Sequence, residues 1–137
     1  MVQLVCGHSG TGKTRRMIEM ANSTINDIDG KMVFLEASNK HIFDLDYRIR
    51  YVNTKEFGLS NEDQFQGFVC GVIATDYDIE KVYIDGLYKI AKSKKETLES
   101  LIERLEYLSK TFDVNFVISV NHDVEDIPEG LRNRVIS

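Results

Sequence analysis

A glycine-rich segment near the start of the chain has the residue types and spacing of a site for a phosphate group. Residues 7–14 read GHSGTGKT, so Lys13 and Thr14 directly follow the last glycine. Glycines let the backbone take left-handed angles and approach an anion closely, and the N–H groups that begin a helix favour negative charge. A lysine there supplies positive charge to phosphate oxygens, and a threonine hydroxyl suits Mg²⁺. The segment therefore predicts binding of a nucleotide phosphate chain together with Mg²⁺.

The predicted nucleotide contacts cover the whole loop and the residue after Thr14. Most side chains in such a loop point outward, so we include His8 for its position and do not expect it to be catalytic. The predicted binding residues are Gly7, His8, Ser9, Gly10, Thr11, Gly12, Lys13, Thr14 and Arg15.

A carboxylate is expected at the end of a second apolar segment. Residues 81–85 read KVYID, which is typical of a buried strand that ends in an acid. An aspartate at the carboxyl end of a strand beside a phosphate loop can hold Mg²⁺. We therefore predict that Thr14 and Asp85 are the metal ligands. Strands also end in aspartate because that residue favours turns, so this interpretation depends on the glycine loop upstream.

Apolar segments predict the strands that must position these groups. They are residues 2–5, 31–36, 81–85 and 114–120, and continuous apolar strands are typical of a parallel sheet covered on both faces. Residues 47–52 alternate at period two, with Tyr47, Ile49 and Tyr51 on one side. Because the gap after residue 36 is short for a helical crossover, we expect that strand to be antiparallel at a sheet edge.

Helices are expected between the strands. One is predicted from Lys13 to about Asn22, and two others begin at capping-box patterns, residues 60–63 and 93–96. Gly67 and Gly71 either weaken the second helix or mark close packing against the sheet. The alternation of strands and helices predicts a single three-layer α/β/α domain over residues 1–137, with a mainly parallel sheet.

Together these segments resemble the P-loop NTPases. Residues 7–14 are similar to the Walker A motif of that superfamily and residues 82–85 to its Walker B motif, and the element order fits over most of the chain. The resemblance implies a P-loop fold with ATP and Mg²⁺ as cofactors. Adenine is preferred because the Asn/Thr-Lys-x-Asp guanine signature is absent from the sequence. Residues 114–120 look like the intervening strand of the additional-strand branch, which implies a minimal RecA-like or AAA+-like core.

The resemblance also implies roles for polar residues at other strand ends. In the additional-strand branch a polar residue at the end of the intervening strand senses the terminal phosphate, and Ser119 or Asn121 fits that position. RecA-like ATPases carry a water-activating glutamate at the end of the second strand, where this chain has Glu36. AAA+ proteins place it directly after the Walker B aspartate, where this chain has Gly86. We therefore predict Lys13 and Glu36 as catalytic residues; the alternative is that Glu36 only caps a turn.

The tail offers a competing resemblance. Residues 127–134, IPEGLRNR, resemble the AAA+ segment that presents an arginine finger to a neighbouring subunit. Arg132 or Arg134 of one copy would then stabilise charge on the γ-phosphate in another copy, and activity would require a homo-oligomer. The alternative is that both are ordinary surface arginines of a loop.

Composition and charge limit the classes of partner. With 137 residues and 42% hydrophobic residues, the chain is large enough for one core. The formal net charge of −5 and the lack of a basic stripe do not indicate nucleic-acid binding. No signal-peptide pattern and no membrane-spanning run is present, so we expect a cytoplasmic protein with Cys6 and Cys70 as buried reduced thiols.

Three functions stay open at this level. The first is Mg²⁺-dependent ATP hydrolysis, and the second is a small-molecule kinase in which Glu36 serves an acceptor hydroxyl. The third is a nucleotide-binding regulatory module with little turnover, which the missing acid after Asp85 favours. We expect Lys89, Lys92, Lys94 and Lys95 to form a solvated face and not to contact an anionic substrate.

Overall fold

The four continuous apolar segments form the centre of a parallel sheet. The computed structural model describes residues 1–136, and its strands are β1 (Val2–Cys6), β2 (Lys31–Glu36), β3 (Arg50–Asn53), β4 (Ile79–Asp85), β5 (Asn115–Val120) and β6 (Val135–Ile136). They lie in the order β3-β2-β4-β5-β1-β6, and every neighbouring pair is parallel. The central strands β2, β4, β5 and β1 correspond to the predicted segments.

Helices cover both faces of this sheet and complete three layers. They are α1 (Lys13–Thr24), α2 (Glu62–Ala74), α3 (Leu87–Ala91) and α4 (Leu98–Phe112). Helix α1 packs on one face, and α2, α3 and α4 pack on the other. The predicted α/β fold with helices on both faces of a parallel sheet is therefore confirmed.

Strand β2 shows why these segments are apolar along their whole length. Met32 and Phe34 face α1, whereas Val33 and Leu35 face the α2 side, and all four are buried. Because successive side chains of a strand point to opposite faces, a strand between two helical layers needs apolar residues at every position. The two end residues are the exceptions: Lys31 is exposed, and Glu36 lies at the carboxyl edge.

The direction predicted for the strand near residues 47–52 is wrong. Strand β3 lies at the sheet edge as expected, but it is parallel to β2. Residues 37–49 return the chain to the amino edge without a helix, and they bury Leu45 and Ile49 against the α1 face. This packed irregular connection is about a dozen residues long, which suffices for a parallel crossover. Tyr47, expected to share a face with Ile49, is 93% exposed.

Helix α2 begins one residue later than its capping pattern suggests. Its N-cap is Asn61, whose Oδ1 accepts a 2.9 Å hydrogen bond from the amide of Gln64. The amide and hydroxyl of Ser60 both donate to Gln64 Oε1, at 2.7 and 2.9 Å. The bonding resembles a capping box, but Gln64 performs the part assigned to Asp63 and accepts from Ser60, the residue before the N-cap.

The capping box predicted at residues 93–96 is wrong. The Ser93 hydroxyl is buried without a hydrogen-bond partner among the residues described. A 3₁₀ turn at Lys95–Thr97 precedes α4, and the Thr97 hydroxyl donates to Glu62 Oε2 at 2.7 Å. The leucine stripe of α4 is buried as expected, so packing of that face fixes the helix.

Short elements escaped the sequence interpretation. Helix α3 and strand β6 each contain too few residues to show a period, and further 3₁₀ turns lie at Thr54–Phe57, Val124–Asp126 and Glu129–Arg134. Cys6 and Cys70 are free, as expected, but half-buried. Over residues 1–136 no helix is both long enough and apolar enough to cross a membrane; the cytoplasmic location stays a prediction.

The glycines of α2 are not sites of close packing. A Cβ atom at Gly67 or Gly71 would meet no atom within 4 Å, so close packing requires neither glycine. Both lower the helix propensity of α2. Gly30, before β2, is different, because a Cβ there would lie 2.1 Å from the carbonyl oxygen of Asp78.

We expect Gly30→Ala to lower the free energy of unfolding by about 1–3 kcal/mol, because the new methyl group would displace backbone. Gly67→Ala is the matched control and should raise it by roughly 0.5–1 kcal/mol through helix propensity. Urea denaturation of both variants measures the difference. A Gly30→Ala protein as stable as the parent would contradict the close contact between residues 30 and 78.

Candidate functional site

The glycine-rich loop is a tight turn between β1 and α1. Gly7, Gly10 and Gly12 have φ angles of 151°, 83° and 87°, which side chains with a Cβ rarely adopt. The amide and the hydroxyl of Thr11 both donate to the carbonyl oxygen of His8, at 3.3 and 2.7 Å. The three glycines therefore sit where the backbone requires them, as predicted.

The start of α1 is left without an internal cap. Gly12 is the N-cap residue, it has no side chain to accept an amide hydrogen, and the first turn contains no acidic residue. The Lys13 ammonium donates to the carbonyl oxygen of His8 at 2.8 Å. Burial lowers the pKa of Lys13, and the charge of Asp85 opposes this shift. An uncapped helix start with an adjacent ammonium is suited to an anion.

Asp85 lies at the carboxyl end of β4 and is fixed by hydroxyl groups on both sides. Thr14 Oγ1 donates to Asp85 Oδ2 at 2.8 Å, and Ser119 Oγ donates to Asp85 Oδ1 at 2.8 Å. The Ser119 hydroxyl in turn accepts from the amide of Gly86 at 2.7 Å. Asp85 therefore meets Thr14 directly, as expected of two ligands of one metal ion.

The environment of Asp85 disfavours its charge. The residue is 6% exposed. Burial raises the pKa of its carboxyl group above the ordinary value, and the Glu36 carboxyl adds to the rise, although the hydrogen bonds from Ser119 and Thr14 oppose it. The charges of Lys13 and Asp85 attract each other. The site thus holds a carboxylate that lacks full compensation by positive charge.

Glu36 is the cross-strand neighbour of Asp85 at the same edge. The two residues are register partners in the β2–β4 pair, and Glu36 is 8% exposed. The Tyr51 hydroxyl donates to Glu36 Oε1, and His41 Nδ1 lies 3.0 Å from both carboxylate oxygens. Burial, and then the contact with Glu36, raise the pKa of Tyr51 to about 12. Glu36 is therefore held in place beside Asp85 and is not a free turn residue.

The partners of Glu36 were not predicted from the sequence. Tyr51 is one residue of a strand pattern, and His41 lies in a segment without periodicity. The signal that could have found Tyr51 is the parallel direction of β3, because that direction pairs Tyr51 with Phe34, two residues before Glu36, and its hydroxyl then reaches the Glu36 carboxylate.

The two candidate sensor residues at the end of β5 contact different parts of the site. Asn121 Nδ2 donates to Ser9 Oγ at 3.3 Å, so Asn121 lies over the loop. Ser119 instead donates a hydrogen bond to Asp85. His8 points outward, as expected, and its Nε2 lies 2.8 Å from Asp123 Oδ2.

The glycine loop and the carboxyl ends of β2, β4 and β5 surround a cavity of about 750 Å³ at the carboxyl edge of the sheet. Its carboxylates are Glu36 and Asp85, and its cations are Lys13, Arg15, Lys40, Lys55, Lys89 and Lys92. Lys89, Lys92, Lys94 and Lys95 are exposed, as the expected solvated face requires, and Lys89 and Lys92 also line the cavity. Among residues 1–136, the ammonium groups of Lys40, Lys55, Lys89 and Lys92 form no ion pair with a carboxylate. The cavity is suited to a ligand with several negative charges.

The residues present fit a Mg²⁺ ion that is bound together with phosphate. One hydroxyl and one carboxylate, from Thr14 and Asp85, suit an ion that keeps several water molecules and takes other oxygens from its substrate. No cluster of three or more His, Cys, Asp or Glu side chains within the described part of the chain is arranged to hold a metal. Thr14 and Asp85 would thus supply only part of a coordination shell.

The tail arginines are engaged inside their own chain. Arg132 donates to the carbonyl oxygens of Ile127 and Glu125, each at 3.1 Å. Arg134 Nη1 lies 2.8 Å from Glu106 Oε2, at the amino edge of the sheet, away from the glycine loop. A role as an arginine finger in a second copy would require these bonds to break.

The site as a whole combines an uncapped helix start, the hydrogen-bonded pair of Thr14 and Asp85, and a second, fixed carboxylate at Glu36. No model of a known protein family matches the chain, and no curated protein gives a significant sequence match.

We expect Asp85→Asn to stabilise the protein near neutral pH, by an amount within the ~0.5–2 kcal/mol typical of stabilising substitutions. A carboxyl group whose pKa is raised by folding favours the folded state while protonated, and this contribution is lost as pH rises through the folded pKa. The neutral amide avoids that loss, so the gain over the parent should be larger at pH 7 than at pH 4.

Urea denaturation at both pH values measures this gain. Asp29→Asn is the control, because Asp29 is exposed and should change stability by less than about 0.5 kcal/mol. A lower stability of Asp85→Asn at pH 7 would contradict the electrostatic description of the site.

Proposed function

We propose that this chain binds ATP with Mg²⁺ and hydrolyses it, as a minimal P-loop NTPase core of the additional-strand branch. The observation that carries the proposal is the 2.8 Å hydrogen bond between Thr14 and Asp85 beside an uncapped helix start. The strand order supports the branch, because β5 lies between β1, which precedes the loop, and β4, which ends at Asp85.

The loop would bind the phosphate chain through its backbone. No side chain caps the start of α1, so the first amides of this helix lack a side-chain acceptor. An anion bound there would accept hydrogen bonds from these amides. Lys13 would exchange its hydrogen bond with the His8 carbonyl for one with a phosphate oxygen. This exchange is favourable because a charged acceptor replaces a neutral one.

Mg²⁺ would be held by Thr14 and Asp85 together with the phosphate chain. The ion would neutralise part of the charge on the phosphate oxygens and orient the terminal phosphoryl group. Its binding would also supply the positive charge that Asp85 lacks, because the hydrogen bonds from Thr14 and Ser119 provide dipoles only.

Glu36 is the proposed base that orients and deprotonates the attacking water. It is beside Asp85 in register, and both of its oxygens already have protein partners that fix the carboxylate. A base that is fixed in this way reacts without further ordering, which is the advantage of preorganised sites.

A small-molecule kinase is the second candidate, and a specific observation favours it. Lys40, Lys55, Lys89 and Lys92 line the cavity beyond the glycine loop without carboxylate partners among residues 1–136. A phosphorylated acceptor beside ATP would use these charges, and Glu36 would then serve the acceptor hydroxyl. A regulatory module with little turnover remains the third candidate.

We expect Lys13→Ala to weaken binding of Mg²⁺–ATP by a factor of roughly 10 to 100, which is the loss of about 1.5–3 kcal/mol from one charge-assisted hydrogen bond. Isothermal titration calorimetry measures the affinity. Lys110→Ala, at an exposed position of α4, is the control and should bind as the parent does. Equal affinity of the parent and Lys13→Ala would remove the nucleotide proposal.

We expect Glu36→Gln to keep the affinity for Mg²⁺–ATP and to lower release of inorganic phosphate at least about 100-fold, as removal of a general base does. The amide keeps the size of the side chain and an acceptor for Tyr51. Phosphate release measured without any acceptor decides between the candidates. Release that depends on a phosphorylated acceptor would favour the kinase, and slow release that Glu36→Gln leaves unchanged would favour the regulatory module.

A further inference from the structure

A second cavity lies at the opposite edge of the sheet from the candidate functional site. Its volume is about 650 Å³, which is within the range of pockets that bind small molecules. It opens between the second half of α2 and the amino ends of β2 and β3, where Lys31 and Arg50 begin their strands. The length of β2 separates it from Glu36, so the two cavities are distinct.

The walls of this cavity are mainly apolar. Side chains from β2, β3, the start of β4, α2 and the 3₁₀ turn after β3 contribute, and they are Val33, Val52, Phe57, Phe68, Val72 and Ile79. The rings of Phe57 and Phe68 lie 5.4 Å apart, and Phe57 is 58% exposed. A ligand that covered these rings would gain hydrophobic stabilisation.

Gly71 leaves a gap in the helical wall. It lines the cavity, and a Cβ atom there would have no neighbour within 4 Å. Its φ angle is not positive, so the backbone does not require glycine. The missing side chain therefore leaves open space at this point of the cavity wall.

Arg50 gives the cavity one uncompensated positive charge. Lys31 is paired with Asp76, and Arg48 is bound to Asp46 at 2.9 Å. Arg50 is exposed and forms no side-chain hydrogen bond or ion pair within residues 1–136. Strand alternation puts it on the same face as Val52, toward α2. Its guanidinium is thus available at the mouth of an apolar chamber.

We propose that this cavity is a second ligand site, for a small amphiphilic monoanion with an apolar body and one carboxylate. The body would lie against Phe57, Phe68 and Val72, in the space that Gly71 leaves open. The carboxylate would pair with Arg50, whose planar donors match two oxygens at once. The inference does not depend on nucleotide binding at the other edge.

Decanoate, at concentrations below its micelle range, is the probe, and calorimetry with backbone amide NMR is the measurement. We expect saturable one-to-one binding with shifts confined to residues around Val52, Phe57 and Val72. Gly71→Leu fills the gap and should weaken binding at least about tenfold. Leucine favours a helix over glycine, so the variant should fold at least as stably as the parent, which thermal unfolding checks.

Matched variants and ligands make the test specific. Gly67→Leu places the same side chain on the same helix outside the cavity and should leave the affinity unchanged. Arg50→Gln should weaken decanoate roughly tenfold, the value of a charge-assisted hydrogen bond, and leave decan-1-ol unaffected. Decyltrimethylammonium should bind more weakly than either ligand.

The proposal is overturned if decanoate shows no saturable binding to the folded parent. It is also overturned if Gly67→Leu and Gly71→Leu lose affinity equally, or if decyltrimethylammonium binds as tightly as decanoate, because such binding would be non-specific adsorption. None of these outcomes bears on the affinity of Lys13 variants for Mg²⁺–ATP, so the two proposals are tested independently.

Discussion

The parallel pairing of β1, β5, β4 and β2 is the constraint on which the candidate site depends. In a parallel sheet every strand ends at the same edge, so the groups that follow the strands meet there. The glycine loop follows β1, Ser119 and Asn121 come from the end of β5, and Asp85 ends β4. The register between β2 and β4 is equally important, because it makes Glu36 and Asp85 direct neighbours. A shift by one residue would turn one of these carboxylates to the other face.

The parts of the fold that follow from local patterns could be predicted from the sequence. Continuous apolar runs identified the four central strands, since strands between two helical layers must be apolar at every position. The glycines at 7, 10 and 12 indicated a turn with positive φ angles, and all three have them. The acid at the end of an apolar run gave Asp85 its position beside Thr14.

The parts that depend on tertiary packing could not be predicted. The direction of β3 is set by residues 37–49, which bury Leu45 and Ile49 without any helical period. Because that direction was missed, Tyr51 could not be associated with Glu36. The lysines of the cavity come from separate elements, and a charge pattern along the chain does not reveal that Lys55 and Lys89 share one opening. The capping box expected at Ser93 is absent because a 3₁₀ turn at Lys95–Thr97 precedes α4, which begins only at Leu98.

The candidate site contains buried negative charge that nearby positive charge only partly compensates. Two buried carboxylates lie side by side, and hydroxyl groups are their main hydrogen-bond donors. Hydroxyl dipoles stabilise a carboxylate less than a full positive charge would. The cations are instead distributed around the cavity opening, where their mutual repulsion favours a polyanion. Under the proposed function, this arrangement lowers the stability of the free protein and raises its affinity for a charged ligand.

The short connection after β5 joins the two sides of this cavity mechanically. The carbonyl oxygen of His122 accepts a 2.7 Å bond from the amide of Gly7, and its ring nitrogen Nε2 lies 2.9 Å from the Tyr88 hydroxyl on α3. Helix α3 also carries Lys89, and Lys92 is its C-cap residue. A displacement of the glycine loop would therefore act on His122 through its bond with Gly7. Through the contact between His122 and Tyr88 it would also act on the helix beside these lysines. His122 thus connects the glycine loop, which would bind the phosphate chain in the proposed function, to the lysine-bearing helix on the other side of the cavity.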